Sequence, residues 1–133
     1  MTLNQEQIMN YFTRIGLNYD DYKCHKLDGQ LLAELCFAHS ISIPFENLDI
    51  LNHKEISLDG SILYDKIITK HRGGLCFELN GLSEIFLRSL GFGVKDLSSR
   101  FFRDAGDDIP MQRHRLLKVE AVDGTYIWDI GKI

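Results

Sequence analysis

The sequence predicts an α+β fold, a bundle of helices followed by antiparallel strands. Three observations point to it. Apolar residues recur at helical spacing from Asn4 to about Leu90, the pattern turns extended after Gly91, and Asp123-Gly124 is a turn dipeptide between two strand-like runs. Helices first and strands after separate this class from a doubly wound sheet, where the two would alternate.

The first helix is expected between Asn4 and Gly16. Ile8, Tyr11, Phe12 and Ile15 share a face there, with Asn4 as cap and Gly16 as stop. A second helix runs from about Asp28 to His39, with Leu31, Leu32, Leu35 and Cys36 on one face. The period then breaks over Ile41 to Leu51, which carries Pro44 and reads as an ordered loop. Ile62 to Thr69 is a third amphipathic helix, capped by Ser57 or Asp59. Past Gly73-Gly74 a fourth helix begins near Cys76, buries Phe77, Leu82, Ile85, Phe86 and Leu90, and ends at Gly91 and Gly93. Phe92 to Phe102, His114 to Val122 and Thr125 to Ile130 are the expected strands. The division is thus a helical part, residues 1–95, and an incomplete β part, residues 96–133. Two or three strands with an uncovered edge are marginal alone and offer a route to a homo-oligomer. The chain reads as the amino-terminal part of a longer design.

With 133 residues, 44% hydrophobic and 26% charged, the composition is that of an ordinary globular domain. A net charge of -4 without basic clusters argues against nucleic acid and anionic membrane surfaces as partners. No basic segment with a following apolar stretch opens the chain, and nowhere are there 18 consecutive apolar residues, so a cytoplasmic location is expected. Three cysteines, Cys24, Cys36 and Cys76, suit neither a disulfide framework nor a paired metal site. His25, His39, His53 and His71 show no zinc-ligand spacing, and no metal is expected.

Chemistry gathers at Cys76. A thiol at a helix amino terminus feels the positive end of the helix dipole, which favours thiolate, the nucleophilic form. Gly73 and Gly74 permit close backbone approach beside it, so that a carbonyl can reach the sulfur and backbone N–H groups can hold an oxyanion. The competing reading is a small buried cysteine. His114 and Asp129 lie on adjacent strands. A two-residue turn at Asp123-Gly124 sets Lys118 opposite Asp129 and puts His114 on the same side, but four residues away, roughly 13 Å. A direct hydrogen bond between them then requires a wider loop or a bulge. In such a trio the imidazole takes the thiol proton and the carboxylate orients the imidazole.

The run Arg72-Gly73-Gly74-Leu75-Cys76-Phe77-Glu78-Leu79-Asn80 resembles the nucleophile motif of the arylamine N-acetyltransferases. Tyr11-Phe12-Thr13-Arg14-Ile15-Gly16, Ile43-Pro44-Phe45-Glu46-Asn47-Leu48-Asp49 and Tyr126-Ile127-Trp128-Asp129-Ile130-Gly131 match in order, as do the 38-residue step from Cys76 to His114 and the 15-residue step to Asp129. The similarity covers essentially the whole chain but about the first half of a family member. It implies a fold similar to papain-like and transglutaminase proteins: a helical bundle carrying the cysteine, then an antiparallel β-barrel, of which this chain holds the first strands. It also implies ping-pong chemistry, in which Cys76 takes the acetyl group of acetyl-CoA and passes it to an arylamine or hydrazine. His114 would be base and acid, and Asp129 its orienting partner.

One departure follows Asp129. The family usually reads Val-Gly-Phe-Gly there, whereas this chain reads Ile130-Gly131-Lys132-Ile133. The resemblance places Gly131, Gly73, Gly74, Arg72 and Phe45 around the substrates. Phe45 reads equally as core packing, and Arg72 with Glu78 reads as an ion pair bracing the nucleophile loop or as two solvated charges. Two other functions stand beside acetyl transfer: an inactive fragment serving as an interaction partner, and a cysteine hydrolase of the related type.

Overall fold

The computed structural model describes residues 1–100 and 112–130. Helix α1, Gln5–Arg14, starts at Asn4, whose side chain accepts from the Gln7 N–H while the Gln7 side chain returns the bond to the Asn4 N–H. This reciprocal cap satisfies two N–H groups that a helix start otherwise leaves open. Helix α2, Gly29–Ser42, is capped by Asp28 through the Leu31 N–H. It runs further than the broken period suggested. Pro44 disfavours helical dihedrals only at the residue before it, and Ile43 is extended, so the helix persists to Ser42. The following loop contains one further helical turn, α3, Leu48–Leu51.

Helix α4, Gly60–Tyr64, is capped by Asp59 and passes directly into a π-helical turn, Asp65–Thr69. Helix α5, Cys76–Leu90, ends at Gly91, whose φ of +111° is the left-handed conformation that glycine adopts without strain. Leu79, Leu82 and Phe86 form its core face and have no exposed surface, whereas Phe77 lies off that stripe and is 38% exposed, contrary to the pattern-based expectation. Ile85 and Leu90 are half-buried.

Strands β1, Gly93–Arg100, β2, Gln112–Ala121, and β3, Gly124–Trp128, form one antiparallel sheet in the order β1-β2-β3. Among the described residues all the helices precede the first strand, as the sequence predicts, and Phe101 and Phe102 of the expected first strand lie outside them. One apolar core joins helices and sheet. Tyr11 of α1 stacks on Phe86 of α5 with ring centroids 3.9 Å apart, and Leu117, Val119 and Trp128 close it from the strands.

The β2–β3 register corrects the expected hairpin. Ala121 pairs with Gly124 and Leu117 with Trp128, so the two-residue turn is Val122-Asp123, with Gly124 opening β3. Asp123 thus takes the second turn position instead of the first; there its carboxylate accepts the Gly29 N–H, while the Val122 N–H donates to the Leu27 carbonyl. Extending the ladder by one step puts Leu116 opposite Asp129. His114 is then two residues away rather than four, a diagonal neighbour within side-chain reach.

Candidate active site

Cys76 is the first residue of α5 and is buried, 8% exposed. Its helix starts here because the preceding glycine turn is pinned to the prolyl loop. The Glu46 N–H donates to the Gly74 carbonyl, and the Gly74 N–H donates to the Pro44 carbonyl. A Cβ on Gly73 would run into the Pro44 carbonyl oxygen, and one on Gly74 would come within 2.9 Å of Glu78 Cβ. The glycine pair is therefore what lets the loop before Cys76 lie against Phe45, which is half-buried against the core.

His114 comes from β2 and is 4% exposed; its Nε2 lies 2.6 Å from Asp129 Oδ2, just past the end of β3. A carboxylate only accepts, so Nε2 carries the proton and, in the neutral ring, Nδ1 carries the lone pair. This bond meets the requirement for which the expected register called for a bulge, by a shift of the hairpin instead.

Asn80 ties the pair to the helix. Having no exposed surface, it donates from Nδ2 to the Arg115 carbonyl at 2.6 Å and to Asp129 Oδ1 at 3.4 Å, and accepts the Ile130 N–H at Oδ1. Residues four apart on a helix share a face. Cys76 thus stands one turn before the residue that holds Asp129, on the side of α5 that meets β2. Arg115, next to His114, fastens the same seam. It donates to Asp96 on β1, to Glu84 on α5 and to the Phe77 carbonyl, and its guanidinium fills the space a side chain at Gly81 would need.

Arg72 and Glu78 neither pair with each other nor stand as two solvated charges. Arg72 donates to Glu46 and, at 2.7 Å, to Asp49, both in the prolyl loop and α3, while Glu78 turns back on its own helix and accepts the Leu75 N–H at 3.0 Å. The cation beside Glu78 is Lys66, 2.7 Å from Oε2 and also 2.9 Å from Asp49. Hydrogen bonds from Arg72 and then Lys66 pull the Asp49 carboxyl down to about 2. Glu46 accepts the Gly73 N–H as well, so one charge network runs from the glycine turn to the first turn of α5.

Of the residues the sequence singles out, the structure bonds His114 to Asp129 and sets Cys76 at the start of α5; Asn80, Arg115 and Lys66, to which the sequence analysis gives no role, join the same region. Asn80 lies one helical turn from Cys76, but its role depends on the strand end packed against it; for Lys66 the π-helical turn hides the spacing. Gly131 lies outside the described residues. Among those described, no group of three or more His, Cys, Asp or Glu comes together that could hold a metal ion, and no helix is long and apolar enough to cross a membrane.

A buried thiol at a helix start, with an imidazole bonded to a carboxylate on the sheet that packs against that helix, is the kind of equipment that cysteine-based acyl transfer uses. A family model described as N-acetyltransferase matches residues 28–132. The arylamine N-acetyltransferase / N-hydroxyarylamine O-acetyltransferase of Salmonella typhimurium is 45% identical over 102 residues, 77% of this chain and 36% of that protein. The arylamine N-acetyltransferase of Escherichia coli is 40% identical over 122 residues, 92% of this chain and 42% of that one. Among solved structures, the Salmonella typhimurium enzyme superposes with a TM-score of 0.85 at 38% identity, over 98% of this chain and 46% of that one. The Mycobacterium marinum enzyme, solved in complex with CoA, gives 0.81 at 33% identity, over 93% and 46%. The chain belongs to the arylamine N-acetyltransferase family. It spans less than half the length of these relatives.

Proposed function

We propose that this chain carries the acetyl-accepting half of an arylamine N-acetyltransferase, with Cys76 as nucleophile, His114 as base and acid, and Asp129 as the group that orients His114. In this reading residues 1–95 bring the thiol and residues 96–133 bring the imidazole and carboxylate. His114 Nδ1 removes the proton from Cys76 Sγ, and the thiolate attacks the carbonyl carbon of acetyl-CoA. The thioester bond to CoA breaks, and the departing sulfur takes the proton from the imidazolium. An arylamine or hydrazine then attacks the S-acetyl cysteine with His114 accepting its proton, and the thiolate of Cys76 leaves.

Arg72 and the Gly73-Gly74 pair hold the loop beside the sulfur, where backbone N–H groups at the start of α5 face the developing oxyanion. Phe45 lines the amine side, and the family resemblance assigns Gly131 to acetyl-CoA. The reaction takes place in the cytoplasm and needs no metal.

The observation that supports this most is the 2.6 Å bond from His114 to Asp129, held one helical turn from Cys76 by Asn80. The test is to incubate the protein with acetyl-CoA and map adducts by peptide mass spectrometry. An acetyl group on Cys76, with release of CoA thiol and loss of the adduct when an arylamine is added, is the expected result. Absence of that adduct, under conditions that label the Salmonella typhimurium relative, would overturn the proposal for this chain.

A further inference from the structure

The first turn of α5 holds a contradiction that Lys66 resolves. A helix amino terminus presents the equivalent of roughly half a positive charge, which favours a thiolate there. Glu78, two residues after Cys76 and 2% exposed, sets a full negative charge in the same turn. Unopposed, it would more than cancel the field of the helix. Its Oε1 is used by the Leu75 N–H, and its Oε2 is met at 2.7 Å by the Lys66 ammonium. Capping alone would be served equally by glutamine, which carries no charge and needs no lysine.

Lys66 reaches this point from the π-helical turn Asp65–Thr69, a rare local winding that widens one turn of the helix. Its other partner is Asp49 of α3, which also takes Arg72, and Arg72 pairs onward to Glu46. The groups facing Lys66 are therefore Glu78 and Asp49, with Arg72 and Glu46 beyond. Glu78 shares the first turn of α5 with Cys76, and the His114–Asp129 pair lies on the sheet that packs against that helix. Lys66 has a side chain only 12% exposed, so its charge is weakly screened by solvent.

We propose that Lys66 is a positioning residue for the Cys76 thiol: its ammonium neutralises the Glu78 carboxylate so that the start of α5 remains electropositive at the sulfur. This rests on Cys76 being the nucleophile, and deepens that reading. Lys66 touches no substrate and acts only through Glu78.

The test is the second-order rate of iodoacetamide alkylation at Cys76 as a function of pH, located by mass spectrometry, in the wild type, Lys66→Met, Glu78→Gln and the double variant, with circular dichroism to establish the fold. Lys66→Met should slow alkylation about tenfold at neutral pH and move the rise of the profile about one pH unit upward. The double variant, with neither charge, should return to within about twofold of the wild type, the coupling that a double-mutant cycle isolates. A Lys66→Met profile that coincides with the wild type, or a folded double variant as slow as Lys66→Met, would overturn the proposal. If Lys66→Met does not fold, Glu78→Gln still decides: removing the carboxylate beside an intact lysine should move the profile to lower pH, and no movement would sink the idea. Alkylation requires no acetyl-CoA. A chain that is never acetylated but shows this charge dependence would contradict the proposed function and leave the role of Lys66 standing, and the converse would remove Lys66 alone.

Discussion

Asn80 shows how much of the site depends on one uncharged side chain. Its amide spans the seam between α5 and the sheet, so its loss leaves the Ile130 N–H and the Arg115 carbonyl short of a partner and Asp129 short of a donor. Unsatisfied buried groups cost about 1–3 kcal/mol. Asn80→Ala is therefore expected to lower stability by about 2 kcal/mol in denaturant titration, and to slow acetylation of Cys76 about tenfold or more because His114 loses its fixed orientation. A variant that is destabilised but acetylated at the wild-type rate would confine Asn80 to folding. Cys76, His114 and Asp129 stood out in the sequence because thiol, imidazole and carboxylate are conspicuous types. Asn80 did not, because an asparagine inside a helix has no chemistry of its own until a strand end is placed against it.

Element boundaries followed local rules where those rules act locally. Asn4 caps the helix that the sequence assigns to it, Asp59 is the one of the two candidates Ser57 and Asp59 that caps α4, Asp28 at the expected start of the second helix caps α2, and Gly91 ends α5 in the left-handed conformation. A Cβ at Gly91 would also lie 2.9 Å from Leu27 Cδ1. Gly91→Ala should thus destabilise the protein by about 1–2 kcal/mol, read as a lower denaturant midpoint with unchanged slope. An unchanged midpoint would mean that the turn relaxes without cost. The hairpin was misplaced by one step because Asp123-Gly124 is a strong turn signal in isolation, whereas its register is decided by Asp123 and Val122 binding Gly29 and Leu27 at the start of α2. That step decides whether His114 can reach Asp129. The partner of Arg72 was likewise illegible, since sequence proximity favoured Glu78 and the fold brought Glu46 and Asp49.

At the scale of the molecule, His39 and Asp49 are two of the described groups that respond to acid, and they do so in different windows. Burial keeps His39, hydrogen-bonded to Tyr11 at 2.7 Å, neutral in the folded state, with its pKa lowered from 6.5 to about 3. The unfolded chain takes up a proton as pH falls below 6.5 and the folded one does not, so stability from this group is complete above 6.5 and is lost on descending toward 3. Asp49, lowered from 3.8 to about 2, contributes stability that is complete above 3.8 and lost from there through 2. Unfolding free energy should accordingly fall from about pH 6.5 downward. Substituting His39→Gln, which keeps a polar partner for Tyr11, should flatten the upper window only. A slope unchanged by that substitution would assign the window elsewhere. The α+β class and the order of the elements were legible because periodicity reports which faces are apolar; the charge network was not, because its members are scattered over α3, the π-helical turn and the glycine loop. The central claim is that these parts assemble an activated thiol at Cys76, and the most direct measurement compares alkylation of Cys76 with that of exposed Cys24 in one sample at about pH 6. The account predicts that Cys76 reacts faster there despite its burial, and that His114→Ala abolishes the advantage. Faster reaction at Cys24, or an advantage of Cys76 that survives His114→Ala, would contradict it.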